Sequence, residues 1–158
     1  MSRKRTVVLI SGRGSNMTAL IAAASDPAYP AEIVGVISDR VNAAGLGIAA
    51  ARGIPTKVIV RSDHASKEAH DAAIDAALVA FNAEIVALAG YLRILSRGLV
   101  EKWQGRMLNI HPALLPALRA GTRMRAPCAP ACASMAARCI SSRPRWMTAR
   151  SSRKPRCR

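Results

Sequence analysis

Five short apolar runs rich in branched residues punctuate the first two thirds of the chain. They are TVVLIS (6–11), EIVGVISD (32–39), TKVIV (56–60), AEIVALAG (83–90) and RMLNIH (106–111), each of strand length and each followed by a polar or glycine-containing turn. TVVLIS lacks polar alternation, the pattern of a strand buried on both faces. Between these runs the apolar spacing lengthens from two to about 3.6. MTALIAAAS, directly after GRGSN, is expected to form a helix capped by Ser15 or Asn16. NAAGLGIAAARGI holds a helix that stops near Gly53, and RGLVEKW a short one. SKEAHDAAIDAALVAFN is amphipathic, with Ile74, Leu78 and Phe81 at i, i+4 and i+7 and acids near its start.

Strands alternating with helices at this spacing predict βαβ units. The expected class is α/β, a Rossmann-like doubly wound, mostly parallel sheet with right-handed crossovers. Ligands of such sheets bind beyond the carboxyl ends of the strands. The loops after the first, fourth and fifth strands (12–16, 90–96 and 109–116) therefore become candidates by topology alone.

Charge divides the chain in two. Residues 1–118 carry 13 Lys and Arg and all 9 Asp and Glu, whereas residues 119–158 carry 11 Lys and Arg and no acid. Those last 40 residues hold a single branched apolar side chain, Ile140, and 31 of them are Arg, Ala, Ser, Pro or Cys. Such a composition cannot repay its ordering entropy, so a disordered or irregular basic tail is expected after a folded unit of residues 1–118. All four cysteines (Cys128, Cys132, Cys139 and Cys157) lie in the tail, without the close Cys–His or C-x2-C pairing of a zinc site, and no metal is expected. The N-terminus does not read as a signal peptide and no apolar run is long enough to cross a membrane, so the expected compartment is cytoplasmic.

Three stretches carry candidate chemistry, and each has an ordinary structural alternative. GRGSN lies between a strand and a helix, where free N–H groups and the helix dipole favour an anion and where Gly12 and Gly14 permit close approach. It matches neither the dinucleotide nor the P-loop fingerprint, and a plain glycine turn would look similar. Asn109 and His111 sit two apart on an extended segment and so face the same way. An amide donor beside an imidazole can hold an oxyanion and move a proton in acyl transfer, although a strand-end His is often bonded only to backbone. His64 and His70 have no such company and are read as surface residues. YLRIL (91–95) surrounds Arg93 with apolar side chains at a carboxyl edge and could line a pocket for a flat ring, or simply pack the next helix.

Taken together, VVLISGRGSNMTALI, VALAGYLRILS and RMLNIHPALLP resemble the phosphoribosylglycinamide formyltransferase family, in order and spacing, over residues 6 to about 118. The N-I-H-P-x-L-L-P stretch is shared with other folate-dependent formyl transferases and deformylases, whereas the G-S-N loop is more selective. The resemblance implies formyl transfer from 10-formyltetrahydrofolate, a co-substrate, to the amine of phosphoribosylglycinamide, without a metal. It implies that Gly14, Ser15 and Asn16 hold the substrate phosphate. Lys67, Leu92, Arg93, Ile94, Leu95 and Asn109 would contact the folate, with Lys67 standing where an Arg is common. Asn109 and His111 would be the catalytic pair, Asn109 donating to the developing oxyanion and His111 assisting the proton transfers.

The family pattern continues after LLP with a histidine-bearing loop and an Asp-Gly-Gly-like loop whose Asp orients the catalytic His. Residues 119–158 contain no Asp, so an impaired activity is expected. Their composition is that of out-of-frame translation of a GC-rich gene, which the nucleotide sequence across codons 110–130 would test. Two other functions are compatible with the sequence. One is a non-enzymatic product whose basic tail binds nucleic acid or acidic partners without specificity; the other is a different folate-dependent formyl transferase or deformylase. Neither a membrane partner nor a specific nucleic acid is expected.

Overall fold

In β1 (Lys4–Ile10) the four residues Val7 to Ile10 are completely buried, although successive side chains point to opposite faces. A strand of that kind needs apolar cover on both sides, and the computed structural model, which describes residues 2–110, supplies it. The element order continues α1 (Ser15–Ala24), β2 (Ala31–Ser38), α2 (Ala44–Ala50), β3 (Thr56–Val58), a 3-10 turn (Arg61–Asp63), α3 (Lys67–Ala80), β4 (Ile85–Leu88), α4 (Arg97–Lys102) and β5 (Met107–Asn109). All strand pairs are parallel and the sheet order is β3-β2-β1-β4-β5. This is the doubly wound arrangement expected from the alternation of strands and helices.

The two cores follow from the pleat. Val7, Leu9, Ile37 and Val86 pack with Ile74 and Leu78 of α3, Leu99 of α4, and Trp103. Val8, Ile10, Val36 and Ala87 pack on the other face with Met17 and Ile21 of α1 and Ala49 of α2. Helices α3 and α4 therefore cover one face and α1 and α2 the other. Burying each large aliphatic side chain contributes roughly 1.5–3 kcal/mol, so these clusters dominate the stability of the unit.

Local chemistry sets the ends of the elements. Ser66 Oγ accepts from Ala69 N at 3.0 Å and starts α3. The same helix stops where Asn82 turns to φ 49°, and Arg5 donates there to the carbonyls of Phe81 (3.0 Å) and Asn82 (3.2 Å). Asp75 of α3 accepts from Trp103 Nε1 (2.9 Å) and Lys102 Nζ (2.5 Å), which ties α4 to α3. The third strand ends at Val58 rather than at residue 60, because Val60 caps the 3-10 turn. The tail, its cysteines, His111 and the boundary at residue 118 lie outside the described residues. Among those described, no helix is long and apolar enough to cross a membrane.

Candidate functional site

The strand order reverses between β1 and β4, so the crevice of this sheet opens between their carboxyl ends. Leu9, Leu88 and Asn109 stand in register across β1, β4 and β5. At interstrand spacings near 4.8 Å, Asn109 is about 10 Å from Leu9 along the edge. The loops after β1 and β4 flank the crevice and touch: Leu92 N donates to Ser11 Oγ at 3.0 Å.

On the β1 side the chain turns at Gly14, with φ 75°, and enters α1. Gly14 itself is the helix cap. Ser15 and Asn16, both expected as caps, instead begin the helix and expose their side chains, and no side chain caps it. The first intrahelical bond is Thr18 N to Gly14 O, 2.8 Å. The N–H groups of Ser15, Asn16 and Met17 thus have no carbonyl four residues back within the helix. With no acidic residue in that first turn, the end is electrostatically open to an anion. Gly45 of α2 backs the loop from behind and donates to Gly12 O at 3.1 Å. A Cβ on Gly14 would stand 3.0 Å from Gly45 Cα, so the two glycines meet backbone to backbone.

On the β4 side, residues 90–96 form a loop whose backbone is fixed at three points. Besides the Ser11 bond, Leu95 O accepts from Lys67 Nζ at 3.1 Å, and Ser96 N donates to Asp71 Oδ2. A fourth tether uses a side chain: Arg93 Nε donates to Asp39 Oδ2 at 2.7 Å. Tyr91 is buried in the core, whereas Leu92 and Ile94 are 72% and 86% exposed. The loop is therefore a held frame that presents two apolar side chains to solvent. Burial pushes the Tyr91 phenol well above its ordinary value, and the charges of Asp39 and Asp71 add to the rise.

Beside this loop lies an open cavity of about 340 Å³ lined by Arg61, Lys67, His70, Asp71, Leu92, Arg93 and Ile94. Four of the residues expected at a folate site, Lys67, Leu92, Arg93 and Ile94, meet there. Leu95 contributes its carbonyl to Lys67 rather than a wall, and Asn109 is half-buried at the end of β5 without lining the cavity.

His70 is a correction. It is only 2% exposed and its Nε2 lies 3.0 Å from Ile59 O, because it falls on the stripe of α3 that also carries Ile74 and Ala77. His64, half-buried, meets its ring edge-on at 5.4 Å. His70 is thus not the surface residue expected, whereas His64 keeps part of its surface. Asp39, Asp71, Ser11 and Arg61 were not singled out from the sequence. The acid of Asp71 near the start of α3 was a visible hint, but Asp39 pairs with a residue 54 positions away and gave no local signal. Among the described residues no three His, Cys, Asp or Glu side chains converge on a metal-sized site.

The sequence model of the formyl transferase family matches residues 4–128. The chain is 50% identical over 117 residues to the trifunctional purine biosynthetic protein adenosine-3 of Bos taurus, covering 74% of this chain and 12% of that protein. It is 41% identical over 110 residues to the phosphoribosylglycinamide formyltransferase of Escherichia coli K12, covering 70% of this chain and 52% of that one. The crystal structure of phosphoribosylglycinamide formyltransferase from Brucella melitensis superposes with a TM-score of 0.71 at 56% identity, covering 73% of this chain and 60% of that one. The chain thus spans about half the length of the Escherichia coli relative and a small part of the trifunctional one.

Proposed function

Because the chain belongs to the formyl transferase family, we propose that it binds phosphoribosylglycinamide and 10-formyltetrahydrofolate and moves the formyl group between them. The observation that carries this reading is the pair of unlike loops at one crevice. A helix start without a side-chain cap at residues 14–16 suits a phosphate, and a pinned loop at 90–96 holds out apolar side chains suited to a flat ring.

In this reading Gly14, Ser15 and Asn16 hold the phosphate, and Lys67, Leu92, Arg93, Ile94 and Leu95 hold the folate. The glycinamide amine attacks the formyl carbon, forming a C–N bond and a tetrahedral centre with a negative oxygen. Asn109, at the carboxyl end of β5, donates to that oxygen and contacts the folate. The centre collapses by breaking the bond to the folate nitrogen. The attacking amine loses a proton and the folate nitrogen gains one, with His111 as the group that moves it. The products are the formylated amide and tetrahydrofolate. In this reading the unit that does this is residues 1–118, and the basic segment 119–158 has no part in it. A cytoplasmic setting fits these soluble metabolites.

No Asp or Glu follows Glu101 in this sequence, so residues 112–158 supply no carboxylate to orient His111. We therefore read turnover as slow and ligand binding as retained. The test is calorimetric titration of the 158-residue chain with each ligand, followed by single-turnover formyl transfer. Phosphoribosylglycinamide should bind and be displaced by inorganic phosphate, tetrahydrofolate should bind and not be displaced, and transfer should be slow. Failure of the chain to bind either one of the two ligands overturns the proposal, and transfer at an ordinary enzymatic rate overturns the impairment.

A further inference from the structure

Asp39 follows the last residue of β2 and is 3% exposed. Its Oδ2 accepts from Arg93 Nε, while its Oδ1 is buried with no partner among the described residues. A buried carboxylate bonded on one side only is costly to keep, which asks for a reason beyond packing. Tethering the loop is an insufficient reason. The backbone of residues 90–96 is already fixed through Leu92 N, Leu95 O and Ser96 N to Ser11, Lys67 and Asp71. A fourth tether through a long side chain adds little to the backbone and a great deal to the direction of the guanidinium.

We propose that Asp39 is a positioning residue for the folate side of the site: by holding Arg93 Nε it aims the remaining guanidinium donors at an oxygen of the ligand. The inference rests on the reading of the cavity as the folate site. Arg93 lines that cavity, its side chain is 43% exposed, and its two terminal nitrogens have no partner among the described residues. The other cations of the wall are spent on backbone. Arg61 donates to His64 O at 2.6 Å and Lys67 to Leu95 O. Arg93 alone of the three is set by a carboxylate, and a guanidinium fixed through Nε keeps its outer edge free for a two-point contact.

The test compares Asp39→Ala, Asp39→Asn, Arg93→Ala and the double variant Asp39→Ala/Arg93→Ala in the full chain. Dissociation constants for tetrahydrofolate and for phosphoribosylglycinamide are measured, with the Arg93 Nε–H resonance as a direct reporter of the pair. Asp39→Ala should shift that resonance and weaken tetrahydrofolate about tenfold, the effect of one charge-assisted hydrogen bond. Phosphoribosylglycinamide should change by less than about twofold on the same scale. Asp39→Asn retains an acceptor oxygen and should rescue most of the loss. Arg93→Ala should weaken tetrahydrofolate similarly, and Asp39→Ala should add nothing on top of it. Equal weakening of both ligands, or additive effects in the double variant, would show a merely structural carboxylate and overturn the inference. Should Asp39→Ala not fold, Arg93→Lys decides: lacking Nε, it must lose tetrahydrofolate affinity as Arg93→Ala does, and full retention overturns the inference. Failure of the parent chain to bind tetrahydrofolate brings down the functional reading and this inference with it. Normal parent binding with a flat Asp39 series brings down only the inference.

Discussion

Replacing Gly45 with alanine puts a methyl group where three atoms already stand. The added carbon would lie 2.6 Å from Ile10 Cδ1, 3.2 Å from Gly12 O and 3.3 Å from Gly14 Cα. Ile10 is completely buried in the core, so its methyl can move aside only by displacing packed neighbours, and the other two atoms are backbone of the loop after β1. Overpacking of this kind costs about 1–3 kcal/mol, and alanine returns at most about 1 kcal/mol of helix propensity. The net expectation is a loss of about 1–2 kcal/mol in stability, with the loop pushed outward by a few tenths of an ångström. Misaligning one donor to a charged phosphate is worth about 1.5–3 kcal/mol, so phosphoribosylglycinamide should bind about tenfold or more weakly. Tetrahydrofolate, on the other loop, should be unaffected. Urea denaturation and calorimetry read the two effects. Gly47→Ala is the control, since it lies in the same helix and its Cβ would meet nothing within 4 Å. Identical midpoints and identical substrate affinities for the two variants would refute the argument from close approach.

Asp71→Ala frees Ser96 N and removes the acid beside buried His70, so urea denaturation should show a loss of about 2 kcal/mol and tetrahydrofolate should bind more weakly. Tyr91→Phe deletes a buried hydroxyl that has no partner among the described residues and should be neutral or stabilising by up to about 1 kcal/mol; a loss larger than that would reveal a bound water. Since the Tyr91 phenol is held above its ordinary value in the fold, its share of stability is intact below about pH 10 and should decline at higher pH, a decline that Tyr91→Phe removes. Burial opposes the charge on Asp75, but hydrogen bonds from Lys102 and Trp103 outweigh it and hold the carboxyl below its ordinary value. Its stabilisation is present above about pH 4 and fades as pH falls through the lower folded value, so Asp75→Asn should cost about 1–2 kcal/mol at pH 7 and flatten the acid limb of the stability profile.

The order of strands and helices was legible because nearly every element carries its own periodicity. Ile74 and Leu78 mark the buried face of α3, and the unbroken run through Val7 to Ile10 marks a strand covered twice. The ends were less so. Ser15 and Asn16 look like caps, yet the left-handed turn at Gly14 starts the helix one residue early. His70 was misread because its charged neighbours Glu68 and Asp71 masked its place on the apolar stripe. The site divides in the same way. Its two candidate loops are proposed from topology and a family resemblance, because the residues of each are contiguous. The fixtures that hold those loops, Ser11 to Leu92, Asp39 to Arg93 and Gly45 to Gly12, join distant positions and leave no trace in any short window.

The sheet order also sets a timetable. The strand at the centre, β1, is the first to be made, but its partner β4 on one side is residues Ile85–Leu88. At roughly 5–20 residues per second, a ribosome needs about 4–15 s to cover that interval. During those seconds β2 and β3 can pair on one flank while the other edge of β1 stays open. The loop after β1 is thus written early and framed late, once the chain has reached Leu92 and given Ser11 a donor to receive. Until then the nascent chain offers an unpaired apolar edge, the feature on which chaperones and unwanted strand partners compete.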